Sequence, residues 1–460
     1  MLDLTQLTQQ MQGISQHLTQ EAVATRLRLE RSQTLLDKAY RQQAELVMLQ
    51  AQWRDRTTFT AATPIEPLNL RVSISTAPAA HTVIATDGSQ IAPSHHEIAY
   101  CYLINIGRIV LHYGQSRHPL LDSLPEIFYR PEDLYLSRQW GIRTEEWMGY
   151  RRTVSEAIAI AELGQHVKES LELRIPNAEL PTPNSELRLP NSELRSHSVS
   201  KGVTPNSELQ THQMELSDIQ NSKLKTQNSK LPTPPTLAMV DGSLIYWFLE
   251  QLPAEARNTI LQPILESWEQ LRQSKVPLVG YLSASRSGEA VNFLRLTACP
   301  FEVPDCMTHC SGKNDVGQKN HAPCQVLEPL KDSAMWAMQL QPGQRSPIWR
   351  SSASILDLYG DQHRVYFCYV HVGTEVARVE FPGWVLDDRT LLDDALSLVL
   401  AQVQKGYGYP VALAEAHNQA VVRGGDRTRF FALLEQQMIR AGLQNVGVSY
   451  KEARKRGSIA

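Results

Sequence analysis

Leu4, Leu7, Met11, Ile14 and Leu18 recur at alternating steps of three and four, and the pattern then loosens through a Gln- and Arg-rich stretch to about Arg56. That spacing predicts an amphipathic helix or helical hairpin, residues 1–58, whose apolar seam docks on the protein's own core or pairs in a dimer. Thr60 to Pro78 is rich in Pro and Thr and predicts a linker, with a sheet domain beginning near Val72. Shorter apolar runs follow. Val83-Ile84-Ala85-Thr86 meets Asp87-Gly88-Ser89, and far downstream Ala238-Met239-Val240 meets Asp241-Gly242-Ser243. Each run is too short for a helix, and Gly permits a sharp backbone change. Both are therefore expected to be strands that deliver an acid at their end, with Ser bonding a local backbone group.

Ile98 to Ile106 and Arg108 to Tyr113, hinged at Gly107, predict a β-hairpin; Val365 to Val372 and Glu375 to Phe381 predict a second around Gly373-Thr374. Thr144-Glu145-Glu146-Trp147 opens a helix with an N-cap hydroxyl and early acids that offset the dipole. That helix runs to about Leu171, with Val154, Ala157, Ile158 and Ala161 on one face and Glu156 and Glu162 on its flanks. Helices over Ala254 to Ser274 and Leu391 to Lys405, and a strand over Pro277 to Leu282, complete the regular pattern. It breaks between about Leu173 and Pro235. Pro183-Asn184-Ser185-Glu186-Leu187, Pro190-Asn191-Ser192-Glu193-Leu194 and Pro205-Asn206-Ser207-Glu208-Leu209 repeat one pentapeptide at uneven spacing. Residues 173–235 carry too few apolar groups to offset ordering entropy and predict a disordered insertion, which loop closure tolerates.

A chain of 460 residues fits two or three domains or one large α/β domain with extensions. With 45 basic and 48 acidic residues the formal charge is only −3, so no global field draws it to nucleic acid, and any DNA contact must use local patches. No apolar run is long enough to span a membrane and the N-terminal residues do not resemble a signal peptide, so the expected location is cytoplasmic, with no membrane partner. Six cysteines do not make a disulfide framework, but Cys299, Cys306, Cys310 and Cys324 fall within 26 residues. In a reducing compartment such a cluster, over residues 296–326, favours a bound Zn2+ or iron-sulfur centre over unligated loop thiols, with His309 or His321 able to replace one cysteine.

Two acids at neighbouring strand ends stay ionised together only when a cation neutralises them, so Asp87 and Asp241 point to a divalent-metal site. His95 and His96 are adjacent and face opposite sides of an extended segment, so at most one can serve, and neither is assigned. His417, in Ala414 to Ala420, is either a structural helix histidine or a functional one. Ser283 to Gly288, and Arg286, Arg345, Arg350 and Arg423, are either phosphate contacts or ordinary loop and surface groups. No Walker A sequence occurs, and neither Ser89 nor Ser243 lies in a GxSxG elbow.

In order and content, Asp87-Gly88-Ser89, the glutamate-bearing helix, Asp241-Gly242-Ser243-Leu244 and Gly408-Tyr409-Pro410 with Ala416-His417 and Asp426 resemble the NurA family, nucleases that work with the HerA ATPase at DNA ends. The resemblance spans about Val83 to Glu435. It implies an α/β, RNase H-like mixed sheet flanked by helices, with a nuclease domain over 72–450. It also implies Mn2+- or Mg2+-dependent 5′ to 3′ exonuclease and single-strand endonuclease activity in end resection and double-strand break repair. The implied partners are DNA ends and single-stranded DNA, a HerA-like hexameric ATPase and a second copy of the chain in a homodimer. Carried over by position, Asp87, Asp241 and His417 are catalytic and metal-binding residues, joined by Glu156, with Glu162 as its alternative on the same helix. The other readings are a catalytically silent scaffold for DNA and an ATPase, and a metal-dependent phosphoryl hydrolase acting on another substrate.

Overall fold

Val83, Ile84 and Ala85 are wholly buried, as are Leu237, Ala238 and Met239, so neither run has a solvent face and both belong in the middle of a sheet. The structure, a computed structural model, describes residues 4–94, 99–172, 233–310 and 322–442. The repeat insertion over 173–232, His95, His96 and His321 lie outside the described residues.

Strands β1 (His81–Ile91), β2 (Tyr102–Tyr113) and β3 (Leu120–Phe128) form an antiparallel meander. On the other side of β1 lies β4 (Thr236–Asp241), parallel to it, and then β5 (Leu278–Leu282), parallel to β4. The hairpin of β6 (Val365–His371) and β7 (Val376–Pro382) adds β7 antiparallel to β5, giving the order β6-β7-β5-β4-β1-β2-β3. This is the RNase H-like mixed sheet, extended by a hairpin. The longer helices are α1 (Leu4–Arg41), α2 (Gln43–Trp53), α3 (Thr144–Glu172), α4 (Ala254–Gln273), α5 (Glu289–Ala298), α6 (Arg389–Lys405), α7 (Val411–Ala420) and α8 (Gly424–Arg440). The core at the β6 end joins Leu36 and Ala39 of α1, Leu46 of α2, Phe293 and Leu294 of α5, and Trp336, Trp349, Phe367 and Tyr369. The seam of α1 thus docks through its later turns, while Leu4, Met11, Ile14 and Leu18 are exposed.

Three expectations change. Asp87-Gly88-Ser89 is not a strand end: β1 continues unbroken to Ile91. Gly107 is not a hairpin hinge either, because it lies inside β2, directly opposite Asp87. Both glycines mark close approach instead. A Cβ on Gly88 would strike Glu156 Oε1 and the Arg152 side chain, and one on Gly107 would strike the backbone of α7, with Ala420 N only 2.6 Å away. The expected linker, Thr60 to Pro78, is also stitched into the sheet. Thr63–Pro64 pairs with Trp349–Arg350, and Val72–Ser73 pairs with Gln344–Arg345. Only the second Asp-Gly-Ser behaves as a turn, with Gly242 at φ +110° just past the end of β4.

Candidate active site

Successive residues of a strand face opposite ways, whereas residues directly paired across strands share a face. Asp87 therefore shares a face with its partner Gly107, and Ser89 with its partner Asn105, while Gly88 looks to the other side. Helix α7 lies over the first face and α3 over the second.

The missing Cβ of Gly107 lets the backbone of α7 settle on β2, and polar groups fix it there. Ser89 Oγ and Asn105 Nδ2 both donate to Ala420 O, the latter at 2.8 Å, at the C-terminal end of the helix. At the other end, Ala412 N donates to Oε1 of buried Gln402 at 3.0 Å. Ser89 thus bonds a distant carbonyl rather than the local backbone. The result places His417 Nδ1 2.9 Å from Asp87 Oδ2, while Asp87 Oδ1 accepts from Gly88 N at 2.8 Å. We expect Gly107→Ala to push α7 off β2, costing roughly 1–3 kcal/mol in a urea titration and loosening the His417–Asp87 contact.

Parallel pairing of Thr86 with Val240 brings Asp87 and Asp241 to adjacent positions one residue later. Glu156 reaches them from α3. Its Oε1 lies 3.2 Å from Arg152 Nε, one turn earlier. Loss of water around Glu156, together with the Asp87 and Asp241 carboxylates and against the pull of Arg152, pushes it up to about 7. Asp241 is also raised, by desolvation and by Asp87, against a hydrogen bond from Tyr409 and the nearby His417. The Asp241 turn is pinned from below: Ser243 Oγ and Leu244 N both donate to Glu380 Oε2 at 2.8 Å.

Asp87, Glu156, Asp241 and His417 are thus drawn together where β4 ends beside the interior of β1. Glu162 is exposed and has Arg108 rather than the strand aspartates as its electrostatic neighbour. The arginine candidates scatter. Arg345 is buried in a two-pronged pair with Glu66, at 2.5 and 2.9 Å, and so is not a phosphate contact. Arg286 and Arg423 are exposed, and Arg350 is half-buried on a short strand paired with Thr63–Pro64 on one side and β6 on the other. Asp426 accepts from Arg423 N at 3.1 Å, at the start of α8. The Ser283–Gly288 loop is also occupied, since Ser287 Oγ accepts from Arg378 Nη1 at 2.7 Å. Sequence reasoning missed Arg152, Tyr409 and Glu380. Arg152 was visible as the residue four before Glu156, and Glu380 as an acid in an apolar strand, two residues from Arg378. Tyr409 had no signal beyond its place in Gly408-Tyr409-Pro410.

The carboxylates impose a pH signature on the metal-free protein. Glu156 ordinarily ionises near 4.5 and here near 7, so between those values the folded state holds a proton that the unfolded state has lost. Stability should therefore fall as pH rises through this window and level off above it. We expect Glu156→Gln to match wild type at pH 4.5 and to exceed it by on the order of 2–3 kcal/mol at pH 8 in denaturant titrations with chelator present.

A family model described as the NurA domain matches residues 81–422, from the first residue of β1 to just past α7. The chain is also similar to a solved structure, the NurA nuclease from Sulfolobus solfataricus, at 11% identity, covering 89% of this chain and 98% of that chain with a TM-score of 0.41. None of the curated proteins matches it.

Proposed function

This chain belongs to the NurA family, a family of nucleases, and from that premise we propose that it is a divalent-metal-dependent deoxyribonuclease with Asp87, Glu156, Asp241 and His417 as its active site. The observation that carries the reading is the placement of two aspartates on adjacent parallel strands, with Glu156 crowded against them and His417 hydrogen-bonded to Asp87. No three side chains of ligand type are already gathered as a closed group among the described residues. The donor set nonetheless suits Mn2+ or Mg2+: hard carboxylate oxygens whose mutual repulsion, felt as raised Glu156 and Asp241, a cation relieves. When bound, such ions supply a nucleophilic water at neutral pH and offset charge on the scissile phosphate.

The protein's own groups have separable tasks. Asp87 and Asp241 hold the cation side of the site, and Glu156 completes it once deprotonated. Tyr409 orients Asp241 through its hydroxyl, and Glu380 fixes the turn behind that aspartate. His417, 67% exposed, is placed to carry a proton between Asp87 and the leaving oxygen. Arg152, beside Glu156, supplies a cation for a phosphate.

The proposed substrates are DNA ends and single strands, cut by 5′ to 3′ exonuclease and single-strand endonuclease action during break repair, with a homodimer docking on a HerA-like ATPase. End-labelled single- and double-stranded DNA, incubated with Mn2+, Mg2+ or EDTA, tests this. Cleavage is expected with either metal and none with EDTA, with products shortened from the 5′ end. Intact DNA in every metal alongside turnover of a simple phosphoester would move the reading to a phosphoryl hydrolase, and no turnover of either would leave a scaffold.

A further inference from the structure

The four clustered cysteines are absorbed by neither the sheet nor the acid site. Cys306 and Cys310 bracket a one-turn helix, Cys306–His309, in which Cys310 N donates to Cys306 O at 3.0 Å. Cys299 follows directly after α5, and Cys324 returns from a separate stretch of chain. All four line one small cavity together with Phe59 and Arg295. Cys306 and Cys324 are buried, Cys299 and Cys310 half-buried. His309 is not among the residues that line it, and its ring stacks on Phe301 with centroids 4.3 Å apart.

Arg295 gives this cavity a direction of charge. It is only 8% exposed, yet the partners of its guanidinium are Asn292 Oδ1 at 3.4 Å, Cys324 Sγ at 3.6 Å and the face of Phe59 at 3.8 Å. Nε has no partner, and Asp305, the carboxylate that lines the same cavity, pairs instead with Arg56 at 2.7 Å. A buried guanidinium without an anion is costly, and thiolates beside it would supply that anion.

We propose that Cys299, Cys306, Cys310 and Cys324 bind one structural Zn2+, with Arg295 as the counter-charge to the resulting tetrathiolate. Four thiols lose their protons to solvent as four Zn–S bonds form, leaving a net charge of −2 beside the guanidinium. The cavity brings the four thiols to one small space, and four thiolates around one point are the tetrahedral set that Zn2+ takes. The metal-free thiols do not form a closed ligand group, so binding turns them inward, and the adjustment falls to half-buried Cys299 and Cys310. The ion ties the end of α5 to the chain over Cys306 to Cys324, and the chain after α2 packs against both. Phe59 packs on Arg295, and Arg56 pairs with Asp305, the residue before Cys306, at 2.7 Å.

The test is metal analysis of the full chain, expressed with zinc and iron available and washed once with EDTA. Folded wild type should carry about one zinc per chain and no iron. Asp87→Ala should keep that zinc, while Cys310→Ser and Cys324→Ser should lose at least nine-tenths of it. Cobalt supplied instead of zinc should give the visible bands of a tetrahedral thiolate site in wild type and Asp87→Ala but not in the two cysteine variants. Folded wild type without metal would overturn the proposal whatever the variants do. Iron with the absorbance of an iron-sulfur cluster would also overturn it, as would zinc lost in Asp87→Ala but kept in Cys324→Ser.

Discussion

Asp87→Asn is expected to lower DNA cleavage by roughly a thousandfold or more while leaving the fold intact. The substitution keeps the size of the side chain and an oxygen to accept from Gly88 N, so β1 loses no hydrogen bond. It removes the charge that faces His417 at 2.9 Å and that sits one strand from Asp241. A neutral amide cannot offset a cation in the same way, and its NH2 can point a donor where an acceptor is needed. Because one of three crowded carboxylates disappears, the metal-free variant should unfold at or slightly above the wild-type temperature. Asp241→Asn should match it, and the double variant should lose little more, since residues acting as a unit are not additive. Initial rates on end-labelled DNA in Mn2+, with circular dichroism on the same samples, decide the matter. Either single variant retaining more than a tenth of wild-type rate would remove the two aspartates from the chemistry.

Arg378→Met should have the largest effect on stability, a loss of roughly 3–5 kcal/mol. Arg378 is 2% exposed and bonds Glu380 at 2.7 Å, Glu289 at 2.8 Å and Ser287 at 2.7 Å, with its guanidinium 3.6 Å over Phe367. Its removal leaves two buried carboxylates with no cation between them. Since domains of this kind are stable by about 5–15 kcal/mol, such a loss brings unfolding into reach at ordinary temperature. A lowered urea midpoint at unchanged slope is the expected readout. Adding Glu289→Gln and Glu380→Gln should recover much of the loss, because the cost lies in stranded charge rather than lost packing. The amide oxygen of Glu380→Gln can still accept from Ser243 Oγ and Leu244 N, so the turn behind Asp241 should be kept. An Arg378→Met protein within about 1 kcal/mol of wild type would show that the carboxylates find protons or water instead.

What the amino-acid order determines here is local. Wholly apolar runs before Asp87 and Asp241 can be satisfied only as buried strands, and Thr144-Glu145-Glu146 starts a helix wherever it lies. Gly373-Thr374 likewise turns a hairpin from its own neighbours. Those elements, and the acids they carry, were legible because each depends on residues within a few positions. The roles of Gly88 and Gly107 were not. Both read as turn glycines, and both serve instead to let Glu156 and α7 come close, a need created by chain some 68 and 309 or more residues away. Arg345 read as a surface cation until Glu66, from the supposed linker, closed on it. His417 carried no weight in its own helix; only the seating of α7 by Ser89, Asn105, Gly107 and Gln402 brings it to Asp87. Packing between distant segments decides which polar group meets which, because burial fixes partners by shape and charge rather than by order along the chain.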